Sequence, residues 1–323
     1  ATAAARSCRG SCRCKNAAGE TSVASEPATA AEPVAAAHAP EGAIFNPERS
    51  RQPAPGHRRG STTVKLAVLN DDNQIVYAKY QRHHTDVRAC ARDLFEGAAT
   101  VLPTAQMTCA ITGSGGLLLS QWLDLEFVQE VIASKRAVET LIPATDVAIE
   151  LGGEDAKIIY FDSGIEQRMN GTCAGGTGAF IDQMATLLHT DASGLNELAA
   201  NATTIYPIAS RCGVFAKTDV QPLLNEGARP EDVAASIFQA VVTQTISGLA
   251  CGRPIRGNVA FLGGPLQYLS ELRHRFYLTL NLDEEHRIVP QNAHLFVASG
   301  AAWRTSPTSS ARSRSSSGPS MPG

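Results

Sequence analysis

Three stretches of this sequence put small residues where an apolar, β-branched run begins or ends: GSTTVK from Gly60, ELGGEDAK from Glu150 and FLGGP from Phe261. A turn built this way carries little side-chain bulk, so its backbone amides can approach an oxyanion closely. One such turn is only a turn. Three of them, in this order and spread over two similar α/β units, form a pattern that limits the architectures open to the chain.

The first unit opens abruptly. TTVKLAVLND, the turn DDNQ and IVYAKYQRH predict a β-hairpin over 62–83, and 85–100 has helical spacing with Thr85 or Asp86 as its cap. QMTCAIT predicts a short buried strand running into TGSGG, with a helix over 121–141. The second unit repeats this logic from Thr145. DVAIELGG and EDAKIIYFDSG predict a second hairpin, and QRMN a further short strand. Helices are expected over 176–189, over 192–200 with a capping residue before it, after Cys212, and over 230–252 with Pro230 in the first turn. NVAFLGGP predicts another buried strand, followed by helices in PLQYLSELRHRFYLTL and HLFVASGAAW.

Composition bounds the rest. Of 323 residues, 1–59 and 303–323 are rich in Ala, Pro, Ser and Arg and poor in large apolar side chains. Neither segment can offset its ordering entropy, so a disordered head and tail are expected around units at 60–144 and 145–302. A net charge of -3 gives no electrostatic case for a nucleic-acid partner. No apolar run approaches the ~20 residues of a membrane span, and 1–25 lacks a secretory apolar core, which makes the cytoplasm the expected location. The eight cysteines are then reduced thiols or metal ligands. Cys8, Cys12 and Cys14 cluster in the head without a fourth ligand, and Cys90, Cys109 and Cys251 read as small buried hydrophobes.

NGTCAGGTGAF is different. It has neither the P-loop spacing nor Gly-x-Gly-x-x-Gly, and it sets Cys173 directly before a glycine loop and a helix start. Cys212 stands in ASRCGVFAKTD, also just before a helix. Gly175, Gly176 and Gly178 would let the chain turn so that the helix points its partly positive amino end at the thiol, which favours thiolate.

The order GSTTVK, TGSGG, ELGGEDAK, FLGGP resembles the superfamily of acetate and sugar kinases, heat-shock chaperones and actin, which implies two ribonuclease-H-like domains with a nucleotide cleft between them. NGTCAGGTGAF together with ASRCGVFAKTD is similar to the ATP-dependent activators of 2-hydroxyacyl-CoA dehydratases and the related ATPase subunits of benzoyl-CoA reductases. The likeness covers about 60–302. It implies that Cys173 and Cys212 are the two ligands each subunit gives to a [4Fe-4S] cluster bridging a homodimer. Iron-sulfur iron takes four thiolates, so two cysteines this far apart need a partner chain to complete the set. The resemblance further implies an acyl-CoA dehydratase or aryl-CoA reductase as partner and a ferredoxin or flavodoxin-like electron donor.

By the same resemblance Ser61, Thr62, Thr63 and Lys65 belong to a first phosphate loop, Gly152, Gly153 and Lys157 to a second, and Gly263 and Gly264 to the turn that cradles adenosine. The resemblance also implies Glu150 and Asp155 as the catalytic carboxylates, whose oxygens suit Mg2+ directly or through water. Lys65 and Lys157 are either phosphate contacts or solvated strand-end lysines. One departure stands out: family members begin the first loop with Gly-Ile-Asp-x-Gly-Ser-Thr, whereas GHRRGSTT puts Arg58 in place of the aspartate and PGHRR in place of an apolar first strand. Arginine cannot ligate magnesium, so a first strand is expected to be missing and ATP hydrolysis impaired. Two other readings stay open, a small-molecule kinase of the same superfamily with Asp219 as base, and a non-enzymatic nucleotide or redox sensor.

Overall fold

The computed structural model describes residues 2–6, 43–47, 63–70, 72–83, 86–103, 108–113, 116–162, 164–170, 175–209 and 213–303. In chain order the elements of the first part are β1 (Thr2–Arg6), β2 (Ala43–Pro47), β3 (Thr63–Leu69), β4 (Ile75–Arg82), α1 (Val87–Val101), β5 (Thr108–Thr112), α2 (Gly116–Leu123), β6 (Glu126–Val128) and α3 (Glu130–Leu141). The second part follows with β7 (Val147–Leu151), β8 (Ala156–Tyr160), β9 (Glu166–Met169), α4 (Gly178–Leu187), α5 (Ala192–Ala199), α6 (Gly213–Asn225) and α7 (Pro230–Thr245). It ends with β10 (Val259–Leu262), α8 (Gly264–Tyr268), α9 (Ser270–Leu280), β11 (Arg287–Ile288) and α10 (Phe296–Ala302).

The second sheet has the order β11-β10-β7-β8-β9. β7, β8 and β9 form an antiparallel meander, and β10 and β11 extend it in parallel from β7. β7 and β8 are buried along their whole length because helices cover both faces of the sheet. On one face Ile149, Leu151, Ile158 and Phe261 meet residues of α4, α5, α7 and α9, among them Phe180, Leu195, Phe238 and Phe276.

The first sheet repeats this plan around an irregular centre. β3 and β4 form the expected hairpin, with Asn73 in the left-handed conformation at its turn, and β5 and β6 run parallel. The slot between β3 and β5, which corresponds to that of β7, holds both β1 and β2. β2 runs antiparallel to β3 and parallel to β5, the same sense in which β7 meets β8 and β10, whereas β1 runs the opposite way. Two short extended segments of the head, β1 and β2, thus stand at the position where the sequence leaves a first strand missing. An open edge on β3 and β5 exposes unpaired backbone groups, and any extended segment that reaches it can bond there.

Three further expectations are corrected. The single helix over 121–141 is broken: Asp124 turns left-handed after α2, and β6 pairs with β5 before α3 begins. Cys251, expected in the core, is exposed at a left-handed turn, while Cys90 is buried. Pro230–Ala250, α7 continued by a π turn over Ile246–Ala250, is long and apolar enough to cross a membrane, contrary to the expectation that no run approaches that length, yet it is a buried core helix.

The two parts are joined through α3 and α10, which lie between the sheets. Ala133 and Ala298 pack with Ala67, Leu69 and Ala110 of the first sheet, while Ala137 and Phe296 of the same two helices pack with Ala148, Ile159 and Leu262 of the second. The final helix thus belongs as much to the first part as to the second, although the sequence places it at the end of 145–302. A methyl group on Gly300 would sit 1.8 Å from the Ala133 carbonyl oxygen, so only glycine lets these helices cross so closely.

Candidate nucleotide cleft and cysteine-flanking segments

The second glycine turn grows out of β7. Glu150 and Leu151 finish the strand, and the Gly152 amide donates to the Asp155 carbonyl over 2.7 Å, closing the turn into β8. The FLGGP turn lies beside it. Gly263 has φ +91°, and a methyl group there would lie 2.0 Å from the Leu151 oxygen, so both the torsion and the contact require glycine. A cleft opens between these turns and the first part, lined by Tyr80, Arg82, Gly153, Asp182, Gly264 and Tyr268 among others.

The charged residues around the second glycine turn are arranged differently from the sequence expectation. Lys157 is no solvated strand-end lysine: its side chain is 3% exposed, donating to Glu130 Oε1 over 2.7 Å and standing 3.7 Å from Glu150 Oε1. Ser134 Oγ donates to the other Glu150 oxygen over 3.3 Å. Burial by itself would lower the Lys157 pKa, but the two glutamates outweigh it and hold the ammonium well above its ordinary value. Burial raises Glu150 above the usual carboxylate range, the Glu130 charge adds to this, and Lys157 offsets it only in part. At Glu130 burial also pushes upward, but the attraction and hydrogen bond of Lys157 win, and its pKa is lowered.

Asp155 is half-buried at the turn, and Thr63 and Lys65 are buried on β3. The Lys65 ammonium lies 5.5 Å from the centre of the Tyr80 ring. Tyr80 in turn meets Tyr268 and His294, with ring centres 6.1 and 5.6 Å away. Burial, aided by Lys65, lowers the His294 pKa to about 4, so this ring is neutral at neutral pH. Ser61, Thr62, Arg58, Cys173, Cys212 and the Cys8, Cys12, Cys14 group lie outside the described residues.

The segments that flank Cys173 and Cys212 are described, and they converge. α4 begins at Gly178, shortly after Cys173, and α6 begins at Gly213, directly after Cys212. Gly213 packs on Phe180 of α4, where an added methyl group would lie 3.4 Å from the ring. The amino end of α4 makes a contact that the sequence reading did not foresee. The Gly178 amide donates to the Gly152 oxygen over 3.0 Å, and the Ala179 amide donates to the Gly153 oxygen over 2.7 Å. The helix that follows Cys173 is therefore bonded directly to the second glycine turn.

Asp219, the residue a kinase reading would use as base, has a local task. Its Oδ2 accepts the Ala209 amide over 2.7 Å, tying α6 to the segment that leads into Cys212. A hydrogen bond to a carboxylate is worth about 1.5–3 kcal/mol. Asp219→Ala is expected to free this segment, so that amide hydrogen exchange at 205–209 rises about tenfold while exchange in β7 and β8 stays unchanged. Exchange at 205–209 equal to the parent chain's would refute this role.

Glu130, Ser134, Tyr80, Arg82 and Asp182 were not singled out in the sequence. Glu130 sits in the first turn of a helix, where an acidic residue is ordinary. Tyr80 and Arg82 do share one face of a strand by period-two spacing, the one signal that could have found them.

Known proteins resemble this chain in sequence and in fold. The model of the BadF/BadG/BcrA/BcrD ATPase family matches residues 59–302. A 2-hydroxyisocaproyl-CoA dehydratase activator of Clostridioides difficile is 31% identical over 210 residues, covering 64% of this chain and 78% of the activator. Among solved structures, component A of the (R)-2-hydroxyglutaryl-CoA dehydratase of Acidaminococcus fermentans aligns with a TM-score of 0.68 at 28% identity, covering 76% of this chain and 93% of that one. The activator of the 2-hydroxyisocaproyl-CoA dehydratase from Clostridium difficile, solved with bound ADPNP, aligns with a TM-score of 0.66 at 28% identity, covering 76% and 90%.

Proposed function

Because this chain belongs to the BadF/BadG/BcrA/BcrD ATPase family, we propose that it is an ATP-driven activator of an acyl-CoA dehydratase or aryl-CoA reductase, working as a homodimer with one [4Fe-4S] cluster between its subunits. The observation that carries this reading is the pair of hydrogen bonds donated by the Gly178 and Ala179 amides to the Gly152–Gly153 turn, on a helix that also packs against Gly213. A rearrangement of the turn on binding a phosphate has a direct path to the chain flanking both cysteines.

The residues present fit a nucleotide. Gly153 and Gly264 line the cleft, where a glycine adds no side-chain bulk against a ligand, and the activator solved with ADPNP shares the fold. They fit a shared cluster as well, since the helices that follow Cys173 and Cys212 meet at Phe180 and Gly213. Phe215, three residues beyond Cys212, is 64% exposed, which suits a subunit contact. Such a cluster supplies one-electron transfer at a potential set by the protein around it. The chain's own part is to bind the nucleotide, move α4 and α6, and open or close a path between electron donor and acceptor.

The carboxylates divide differently from the sequence expectation. Glu150 is engaged by Lys157 and Ser134, so it anchors the turn. We assign magnesium, directly or through water, to Asp155. With Arg58 in the position of the first-loop aspartate, ATP hydrolysis is impaired.

Anaerobic purification of the full chain is expected to give a brown dimer with about four irons per two chains. Colourless protein after anaerobic reconstitution would sink the cluster reading. Hydrolysis is expected to rise about 10- to 100-fold when His57→Ile, Arg58→Asp and Arg59→Ile restore Ile-Asp-Ile before Gly60, the range typical for losing a group that orients a metal. Equal turnover in both chains would remove the impairment.

A further inference from the structure

The edge strand β4 makes two contacts across the cleft that the reading above does not use. Tyr80 and Arg82 are two positions apart and point the same way. The Tyr80 hydroxyl meets the adenosine-side turn, 3.0 Å from where a Gly264 methyl group would stand, and its ring lies edge-on to Tyr268. Arg82 Nη2 donates to both carboxylate oxygens of Asp182, over 3.0 and 3.3 Å. Asp182 lies on α4, one turn beyond the Gly178 and Ala179 amides that bond to the second glycine turn.

The helix following Cys173 is thus held at two points. The second part grips it through the Gly152–Gly153 turn, and the first part through Arg82. We propose that Tyr80 and Arg82 are positioning residues that transmit closure of the cleft from the first part to α4, with the Arg82–Asp182 pair as the link. A ligand entering between Gly153 and Gly264 displaces Tyr80 from its turn, moves β4 with it, and so pulls on α4 through the carboxylate. This rests on the nucleotide reading for the identity of the ligand. The link itself does not depend on it.

Both partners of the pair are partly exposed, with side chains 50% and 32% accessible, so each acts through geometry more than through stability. Amide hydrogen exchange of the full chain tests this, first without nucleotide. Arg82→Gln and Asp182→Asn are each expected to speed exchange at 178–187 about twofold to fivefold, as suits an exposed ion pair, with the thermal midpoint unchanged. The exchanged pair Arg82→Asp with Asp182→Arg should return exchange toward the parent value. A second arm adds ADPNP: in the parent chain its binding should slow exchange at 178–187, and in either single variant that protection should fall by the same factor. Unchanged exchange in both single variants, or no recovery in the exchanged pair, would overturn the link. If the parent chain fails to bind ADPNP, the nucleotide reading falls, and the first arm still decides the link.

Discussion

Lys157→Met is expected to lower the unfolding free energy by about 3–5 kcal/mol, the cost typical of removing one partner from a buried ion pair. Denaturant titration would show this as a lower midpoint at unchanged slope. The substitution keeps the length and apolar stem of the side chain and removes only the ammonium that stands between Glu130 and Glu150. The buried Glu150 and the partly buried Glu130 are then left without the ammonium between them, and their mutual repulsion adds to the desolvation cost of each.

The sign of the pH dependence separates this role from phosphate binding. In the parent chain Glu130 has a lowered pKa, so it contributes stability above its unfolded value, and this is lost as the pH falls through the folded one. Glu150 is raised, so its contribution is present below the unfolded value and lost as the pH rises through the folded one. Without the ammonium both carboxylates rise, and protonation relieves them. The deficit of Lys157→Met should therefore be greatest at neutral pH and shrink as the pH falls toward the ordinary glutamate value of 4.5. A phosphate-binding lysine would behave otherwise, leaving stability intact and weakening only nucleotide affinity. A stability loss below about 1 kcal/mol, independent of pH, would show that no buried ion pair exists.

What the sequence revealed and what it hid divide along local and non-local lines. The β3–β4 hairpin, the glycine turns after β7 and β10, and the caps at Asp86 and Asp191 were legible because each depends on neighbouring residues alone. Asp86 and Asp191 each accept an amide three residues on, over 2.9 Å, as their positions before a periodic apolar stretch predict. β6 was missed because three residues show no periodicity, and its strand character comes from pairing with β5. Lys157 looked like a strand-end lysine because its partner Glu130 is distant in sequence. Nothing local marks α10 as a helix of both parts. Its small residues do so only once Gly300 is seen against Ala133.

The slot beside β3 shows the same division at the level of the fold. From GHRRGSTT one reads that a first strand is absent at its usual place in the chain. That β1 and β2 occupy the position follows from the edges that β3 and β5 leave unpaired, a property of the assembled sheet. On the proposed function a shared slot also separates binding from turnover: the glycine turns of the second part are built without it, while neither β1 nor β2 carries an aspartate. Nucleotide affinity should accordingly survive where hydrolysis does not.

Cys173→Ser and Cys212→Ser are each expected to abolish iron binding after anaerobic reconstitution, measured as iron per chain and as loss of visible absorbance. In a homodimer one substitution removes two thiolates of the four that the cluster requires, and a hydroxyl does not replace them. The remaining described cysteines are poor substitutes. Cys90 is buried, and desolvation, aided by Asp93, pushes its thiol up to about 11, so it stays protonated at neutral pH. Cys109 lies within β5, and Cys251 sits beyond α7 at a left-handed turn. Alanine at any of these three should leave the iron content unchanged. The two serine variants should still bind ADPNP with an affinity within about threefold of the parent's, because the turns at Gly152 and Gly263 are built by other residues. Iron retained by either serine variant would refute the shared cluster. Iron lost on Cys251→Ala would point to a different ligand set, in which the turn after α7 takes the place assigned to one of the glycine-flanked thiols.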